Sequence, residues 1–420
     1  MDQDIATPDR PQPVAVSGNR ITSLDFIRGI AVMGILAANI FAMGQPFTAY
    51  MYPTAFTVPH SAAEGWMWVA QFVLIDGKMR GLFSLLFGAG LYLFMEKTWA
   101  KGGTVWLQIK RLLWLGLFGA IHFFFIWRGD ILFLYALCGL IAVAIFIGMS
   151  VRKQLAFGIL AYIVGTLLYG SLIAMQFVAD TEVDSAVYGQ MQEELQQGAE
   201  EDLQDGRLET QIRQDGTYGD YVAHNFSAHT GDLAFVMFFA FETLPLMLFG
   251  MVLYRKGLFD GRWRPRSLGV WAWLSLLVGG ALTLWIGLAT KVGGITYYGS
   301  LAAFVGWTHI PRLFMVLGLV ILLAIHAPAA GGWLSDRITA AGRAAFTNYL
   351  GTSIVMLFVF GNWGLGLFGR FGRTELYLVV LASWFVMLLW SKPWLDRFRF
   401  GPFEWAWRCL TYGRMFPIRR

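Results

Sequence analysis

The chain has 420 residues, 57% of them hydrophobic and only 14% charged, with a net charge of +5. Water-soluble domains are nearer half apolar and about a quarter charged, so a soluble fold is excluded and the apolar excess must be buried in lipid. The basic balance needs no nucleic-acid partner, because Lys and Arg cluster between apolar runs, and the two cysteines, Cys138 and Cys409, make neither a disulfide framework nor a metal-type spacing.

Residues 1–19 are polar, carry three prolines and read as a disordered cytoplasmic tail. The first apolar run, residues 21–43, is interrupted early by Asp25 and Arg28, which argues for an uncleaved span rather than a signal peptide. Asp25 and Arg28 are three apart and share a helix face. Asn39 is eleven residues beyond Arg28, about three turns, and extends the same stripe. Residues 66–97 are too long for one crossing, about 48 Å as a helix against about 30 Å of hydrocarbon. That run contains Asp76-Gly77-Lys78-Met79-Arg80 and divides into an interfacial or half-inserted helix, 66–76, and a span, 79–97. Gly81, Ser84 and Gly88 form a small-residue stripe on the span, suited to close helix approach.

Span three, 106–127, carries Lys110 and Arg111 near its start and His122 among phenylalanines. It breaks at Trp127-Arg128-Gly129-Asp130, and span four, 131–149, begins at once. Span five covers 154–178. Residues 179–231 hold twelve acidic and two basic residues and read as an external loop or cap with a short surface helix. Span six, 233–254, has Glu242 near its centre, and spans seven to ten cover 268–289, 303–326, 344–361 and 375–391. The tail from Lys392 is basic and Trp-rich, ending in a basic stretch at 416–420.

The expectation is therefore an all-α polytopic membrane bundle. It has about ten transmembrane helices plus the broken or interfacial helix, one transmembrane domain over 20–415, and both termini cytoplasmic. With that orientation every large inner segment is rich in Lys or Arg and the acidic stretch falls outside. Lys78, Arg80, Arg128, Arg370 and Arg373 fall on the outer side against the rule, where an anionic substrate could hold them.

LDFIRGIAVMGILAANI, DGKMRGLFSLLFGAGL, RLLWLGLFGAIHFFFIWRGDILFLYALCG, GRAAFTNYLGTSI, NWGLGLF and GPFEWAWRCLTYGR occur in the order that resembles the YeiB-like family of bacterial inner-membrane proteins, over residues 20–415. That family resembles a branch of the transmembrane acyltransferase superfamily, which includes heparan-alpha-glucosaminide N-acetyltransferase and bacterial O-acyltransferases. The resemblance implies a multi-pass bacterial inner-membrane protein that moves an acyl, most simply acetyl, group from cytoplasmic acyl-CoA to a sugar or lipid acceptor outside. It implies acyl-CoA as co-substrate and no tightly bound cofactor. Beyond the lipid bilayer and that acceptor no partner is implied, and a homodimer is one allowed arrangement. His122 is the position that best matches the membrane-helix histidine proposed as catalytic in the lysosomal relative. The O-acyltransferase branch has a histidine late in its first span, where this chain has Asn39, and an amide cannot act as a general base.

Each candidate also has a plainer reading. His122 could take a proton or carry an acyl group, with Asp130 orienting the ring, or it could be a packing histidine bonded to a neighbouring helix. Asp130 could cap span four, and Arg128 could snorkel to headgroups. Arg28 and Arg111 could attract the phosphates of CoA, or Arg28 could simply pair with Asp25 to lock span one. Lys78 and Arg80 mark either a substrate site or an interfacial anchor. Glu242 is costly if charged and must be protonated or paired, and Asn348, with Thr347 and Tyr349, reads as a cross-helix hydrogen-bonding group. His224 and His229 have no specific metal spacing, so no metal ligand is assigned. The rivals to acyl transfer are a transporter or exporter of a small anionic or lipid-like solute, and a non-catalytic lipid- or quinone-binding protein.

Overall fold

The computed structural model describes residues 21–59, 61–182, 184–327 and 331–420, so the expected N-terminal tail lies outside the described residues. Within these the architecture is helical, and the one isolated bridge pairs Phe398 with Arg419. α1 (Thr22–Gly44) is the most enclosed of the long apolar helices, with 72% of its apolar window buried. α2 (Ala62–Leu74) starts at a capping box in which Ser61 and Glu64 satisfy each other's backbone N–H groups. It ends before Gly77, and α3 (Lys78–Trp99) begins there. The long run is thus broken where Asp76-Gly77-Lys78 predicts. Gly77 has φ of 72°, a conformation that suits glycine, and a β-carbon at that position would lie 2.4 Å from Arg312 Nε.

α4 (Val105–Phe125) and α5 (Leu132–Ile141, continued by a π turn to Phe146) pack together across the Trp127–Asp130 corner. α6 (Val151–Asp180) follows. Residues expected as an external loop with a short helix instead form the 31-residue α7 (Ser185–Asp215) and α8 (Tyr218–Ala228). Side-chain bonds four residues apart, Gln190 to Glu194 and Gln197 to Glu201, support the long helix. Arg213, 1% exposed, anchors it: its guanidinium lies 4.5 Å over Phe368 and donates to the Met43 carbonyl at 3.3 Å. α7 and α8 therefore make a packed cap.

After α9 (Asp232–Phe235) and a 3-10 turn come α10 (Ala240–Lys256), α11 (Leu268–Val292), α12 (Tyr297–Leu301, continued by a π turn to Trp307) and α13 (His309–His326). α14 (Trp333–Arg343) and α15 (Ala345–Phe360) meet at 81°. α16 (Arg373–Arg397) and the short α17 (Pro402–Tyr412) complete the chain.

α3 and α10 pack backbone to backbone through the predicted small-residue stripe. A β-carbon on Gly88 would lie 2.0 Å from the Met247 carbonyl oxygen, and one on Gly250 would lie 1.9 Å from that of Leu85. By contrast α6, α11 and α16 leave Leu167, Trp271, Phe385 and many other large apolar side chains exposed. Water would penalise a surface of that kind, whereas lipid tails match it.

Among the described helices, α1, α6, α10 with its preceding turn, α11, α13 and α16 are long and apolar enough to cross a membrane; the bent α14–α15 pair makes seven. The count falls short of ten for physical reasons. Lys78, Arg80, Glu96 and Lys97 dilute α3, and Lys110, Arg111 and His122 dilute α4. α5 and α15 are short, with 10 and 16 residues.

Candidate functional site

A cavity of about 590 Å³ lies between the cap and the bundle. Its wall is mostly apolar and aromatic, with Tyr50, Phe123, Trp127, Phe239 and Phe304 contributing. Asn39, Arg80, Arg128, Asp130 and Asp202 supply polar groups. A large apolar space with a few convergent polar groups is the usual form of a small-molecule site.

Asp130 reaches the cavity from the corner between α4 and α5. Its Oδ2 accepts from the Phe133 backbone N–H at 2.7 Å, which caps α5. Its Oδ1 lies 3.0 Å from His122 Nδ1. Neither of those two atoms has the direction of a hydrogen bond, and His122 Nε2 is also without a partner among the described residues. His122 is fully buried, with its ring 5.2 Å from Tyr349 and 6.3 Å from Trp127. Asp130, then, is the residue at the wall, and its carboxylate is buried with the imidazole behind it. Tyr349, which the sequence presents as part of a structural trio, also accepts from the Ile131 N–H at 3.3 Å and closes the far side of the histidine.

Asn39 lines the cavity, and its side chain makes no hydrogen bond to another described residue. Arg80 lines the floor, pairs with Glu242 at 2.5 Å and packs over Phe239 at 4.8 Å. Glu242 was expected near the centre of a span; it lies instead in the first turn of α10, because residues 232–239 form a separate helix and turn. It accepts both Arg80 and Arg312, the latter at 2.8 and 3.0 Å. Arg312, 2% exposed, also donates to Thr308 Oγ1 and to the Phe304 carbonyl. It was not singled out from the sequence, although an arginine inside HIPRLFMVLGLVILLAIH is the signal that intramembrane charge provides. Lys78 does not reach the cavity: it is 2% exposed and donates to the Phe72 carbonyl beneath the helix break.

Arg128 lies at the cap side of the cavity, 3.1 Å from Asp205 and 3.2 Å from Glu209, with its guanidinium 4.4 Å over Phe47. Next to it Asp205, His224 and His229 gather donor atoms within 4.8 Å of one another, the grouping among the described residues that could hold a metal ion. Burial pushes the Asp205 carboxyl up, but the hydrogen bond from His224 and the charge of Arg128 outweigh it and bring its pKa down to about 2.

The remaining candidates are elsewhere. Arg28 donates to Asp25 at 3.1 Å, the pair that their spacing predicts. Arg111 is clasped between Phe94 at 4.7 Å and Trp407 at 4.3 Å. None of these three lines the cavity. Asn348 is buried, donates to the Ala341 carbonyl and Ser391, and accepts from Trp390, tying α14, α15 and α16 together.

Comparison with known proteins bears on the whole chain. It is 31% identical over 409 residues to the uncharacterized protein YeiB of Escherichia coli (strain K12), covering 93% of this chain and 96% of that one. The chain belongs to the YeiB-like family. It is also 29% identical to the uncharacterized protein YxaH of Bacillus subtilis (strain 168), covering 96% and 97% of the two chains. A family model described as "Protein of unknown function (DUF418)" matches residues 253–414. That stretch starts after Asp130, Arg80 and the cap, so most of the cavity wall lies outside the matched residues. No solved structure matches the chain.

Proposed function

We propose that this YeiB-like protein is a membrane acyltransferase whose acceptor, a sugar or lipid hydroxyl, occupies the cavity beneath the cap. In this reading ten helices cross a bacterial inner membrane, both termini are cytoplasmic, and the cap is outside. The observation that carries the proposal is Asp130, a residue of the cavity wall whose carboxylate lies 3.0 Å from a buried imidazole.

Asp130 takes the proton of the acceptor hydroxyl while the hydroxyl oxygen bonds to the acyl carbon of the donor thioester. The carbon–sulfur bond breaks, and the proton passes to the departing thiolate. His122 positions the carboxylate from behind. Asn39 and Arg80 bind the acceptor, and Arg28 and Arg111 receive the phosphates of acyl-CoA from the opposite end. General-base assistance of this kind is worth about 10²–10⁴ in rate. Purified protein supplied with acetyl-CoA and a bacterial lipid extract releases CoA in this reading, and Asp130→Asn lowers the rate by about that factor. Unchanged turnover in Asp130→Asn would remove the carboxylate from the chemistry.

One observation favours a second reading, transport of a small anionic solute. Arg80 at the cavity floor belongs to a buried Arg80–Glu242–Arg312 group with two guanidinium groups on one carboxylate, and no residue among Asp25, Arg28 and Arg111 lines the same space. Solute flux into sealed vesicles without any acyl donor would support transport instead.

A further inference from the structure

The Asp205, His224 and His229 cluster is independent of the Asp130 chemistry, and its geometry is specific. His224 Nε2 lies 3.2 Å from Asp205 Oδ1, His229 Nε2 lies 3.5 Å from the same oxygen, and the two imidazole nitrogens are 3.3 Å apart. Ligand atoms about 2.0–2.1 Å from a tetrahedral zinc ion are separated from one another by about 3.3 Å. The three donors therefore already form one face of a zinc tetrahedron.

The contact between His229 and Asp232 suits the tautomer that a metal needs. His229 Nδ1 faces Asp232 Oδ2 at 3.0 Å, so the ring proton is assigned to Nδ1 and the Nε2 lone pair turns toward Asp205. A carboxylate behind a histidine is the arrangement that orients metal-bound imidazoles. It leaves the His229 lone pair and the Asp205 carboxylate facing each other, with His224 Nε2 within reach of both. Arg128 Nη1 stands over this ring, 2.8 Å from Nε2 and 2.9 Å from Nδ1. Arg128 is one positive charge among the carboxylates of Asp205, Glu209 and Asp232, so a divalent cation fits the surplus. Glu209 Oε2, 3.2 Å from Arg128 Nη2, can keep the guanidinium once an ion takes its place.

We propose that Asp205, His224 and His229 bind one zinc-class transition-metal ion. The ion clips α7 to the C-terminal end of α8 beside the cavity, with Asp232 as the orienting residue. Two imidazoles and one carboxylate suit zinc and its neighbours, whereas magnesium and calcium require all-oxygen shells.

The test uses the full-length chain purified in detergent and stripped with chelator. It is incubated with zinc or magnesium and freed of unbound ion before metal is counted. The expected result is one zinc per chain, no retained magnesium and a higher unfolding temperature with zinc. Asp232→Asn lowers zinc affinity about 10–100-fold, and the double variant His224→Gln with His229→Gln retains none. Equal zinc in the wild type and the double variant overturns the proposal, as does equal retention of magnesium. Should the double variant fail to fold, cobalt(II) bound to the wild-type chain decides: intense visible bands of a four-coordinate site support the proposal, and the weak spectrum of the hydrated ion overturns it.

Discussion

The two ends of the bundle treat their charged residues differently. At the cap end Arg80, Arg128 and Asp130 line a cavity while also holding partners in the protein. At the opposite end Arg28 is matched with Asp25, and Arg111 is clasped by Phe94 and Trp407. All of these are charges at or near membrane spans, where charge is costly. The difference lies in what stands beside the pairs: a cavity borders Arg80, Arg128 and Asp130 at the cap end, whereas Arg111 at the opposite end is closed between aromatic rings.

The sharpest way to break this contrast is at the cavity floor. Glu242→Gln takes from Arg312 and Arg80 the carboxylate that both contact, and removing one partner of a buried ion pair costs about 3–5 kcal/mol. Thermal unfolding of the purified protein in one detergent measures it, and a loss below that of the Arg28 variant described below would reverse the ranking of the two ends. Arg111→Ala removes two cation–π contacts, each about 0.5–2 kcal/mol, while leaving the cavity intact. It is therefore expected to lower the unfolding temperature without altering ligand binding in the cavity, and altered cavity binding would show that the two ends communicate.

The cap should respond to acid. Asp205 has a pKa of about 2 against an ordinary 3.8, so its ionised form stabilises the folded cap. That contribution is complete above the ordinary value and is lost as pH falls toward about 2. Protease cleavage between α7 and α8 is expected to increase over this interval, and Asp205→Asn reduces the pH dependence while leaving the cap looser throughout. The smallest expected effect is Arg28→Ala. A part-exposed pair contributes about 0–1 kcal/mol, so stability changes little. If acyl-CoA binds at that end, its KM rises while kcat holds.

The features legible in the sequence share a local cause. The break at Asp76-Gly77-Lys78 is visible because only glycine reaches φ of 72° easily. The Asp25–Arg28 pair follows from helical spacing, and the Gly88 contact with α10 from the need for small residues between close helices. His122 and Asp130 could be linked because a tight corner forces their helices together. Arg312, by contrast, stands 70 residues from Glu242 along the chain, and no periodicity connects them.

The amino-acid sequence by itself determined that this is a helical membrane protein, where several of its apolar helices begin and end to within a few residues, and which side chains carry a cost that must be answered. Those are properties of single segments, set by hydropathy, glycine and spacing. Tertiary structure alone decided that Asp130 rather than His122 meets the cavity, that Glu242 holds two arginines, and that α7 and α8 fold over the site with three metal-type donors converging. Each of these depends on which faces of distant helices meet, and burial and pairing energies fix that only once the whole bundle has packed.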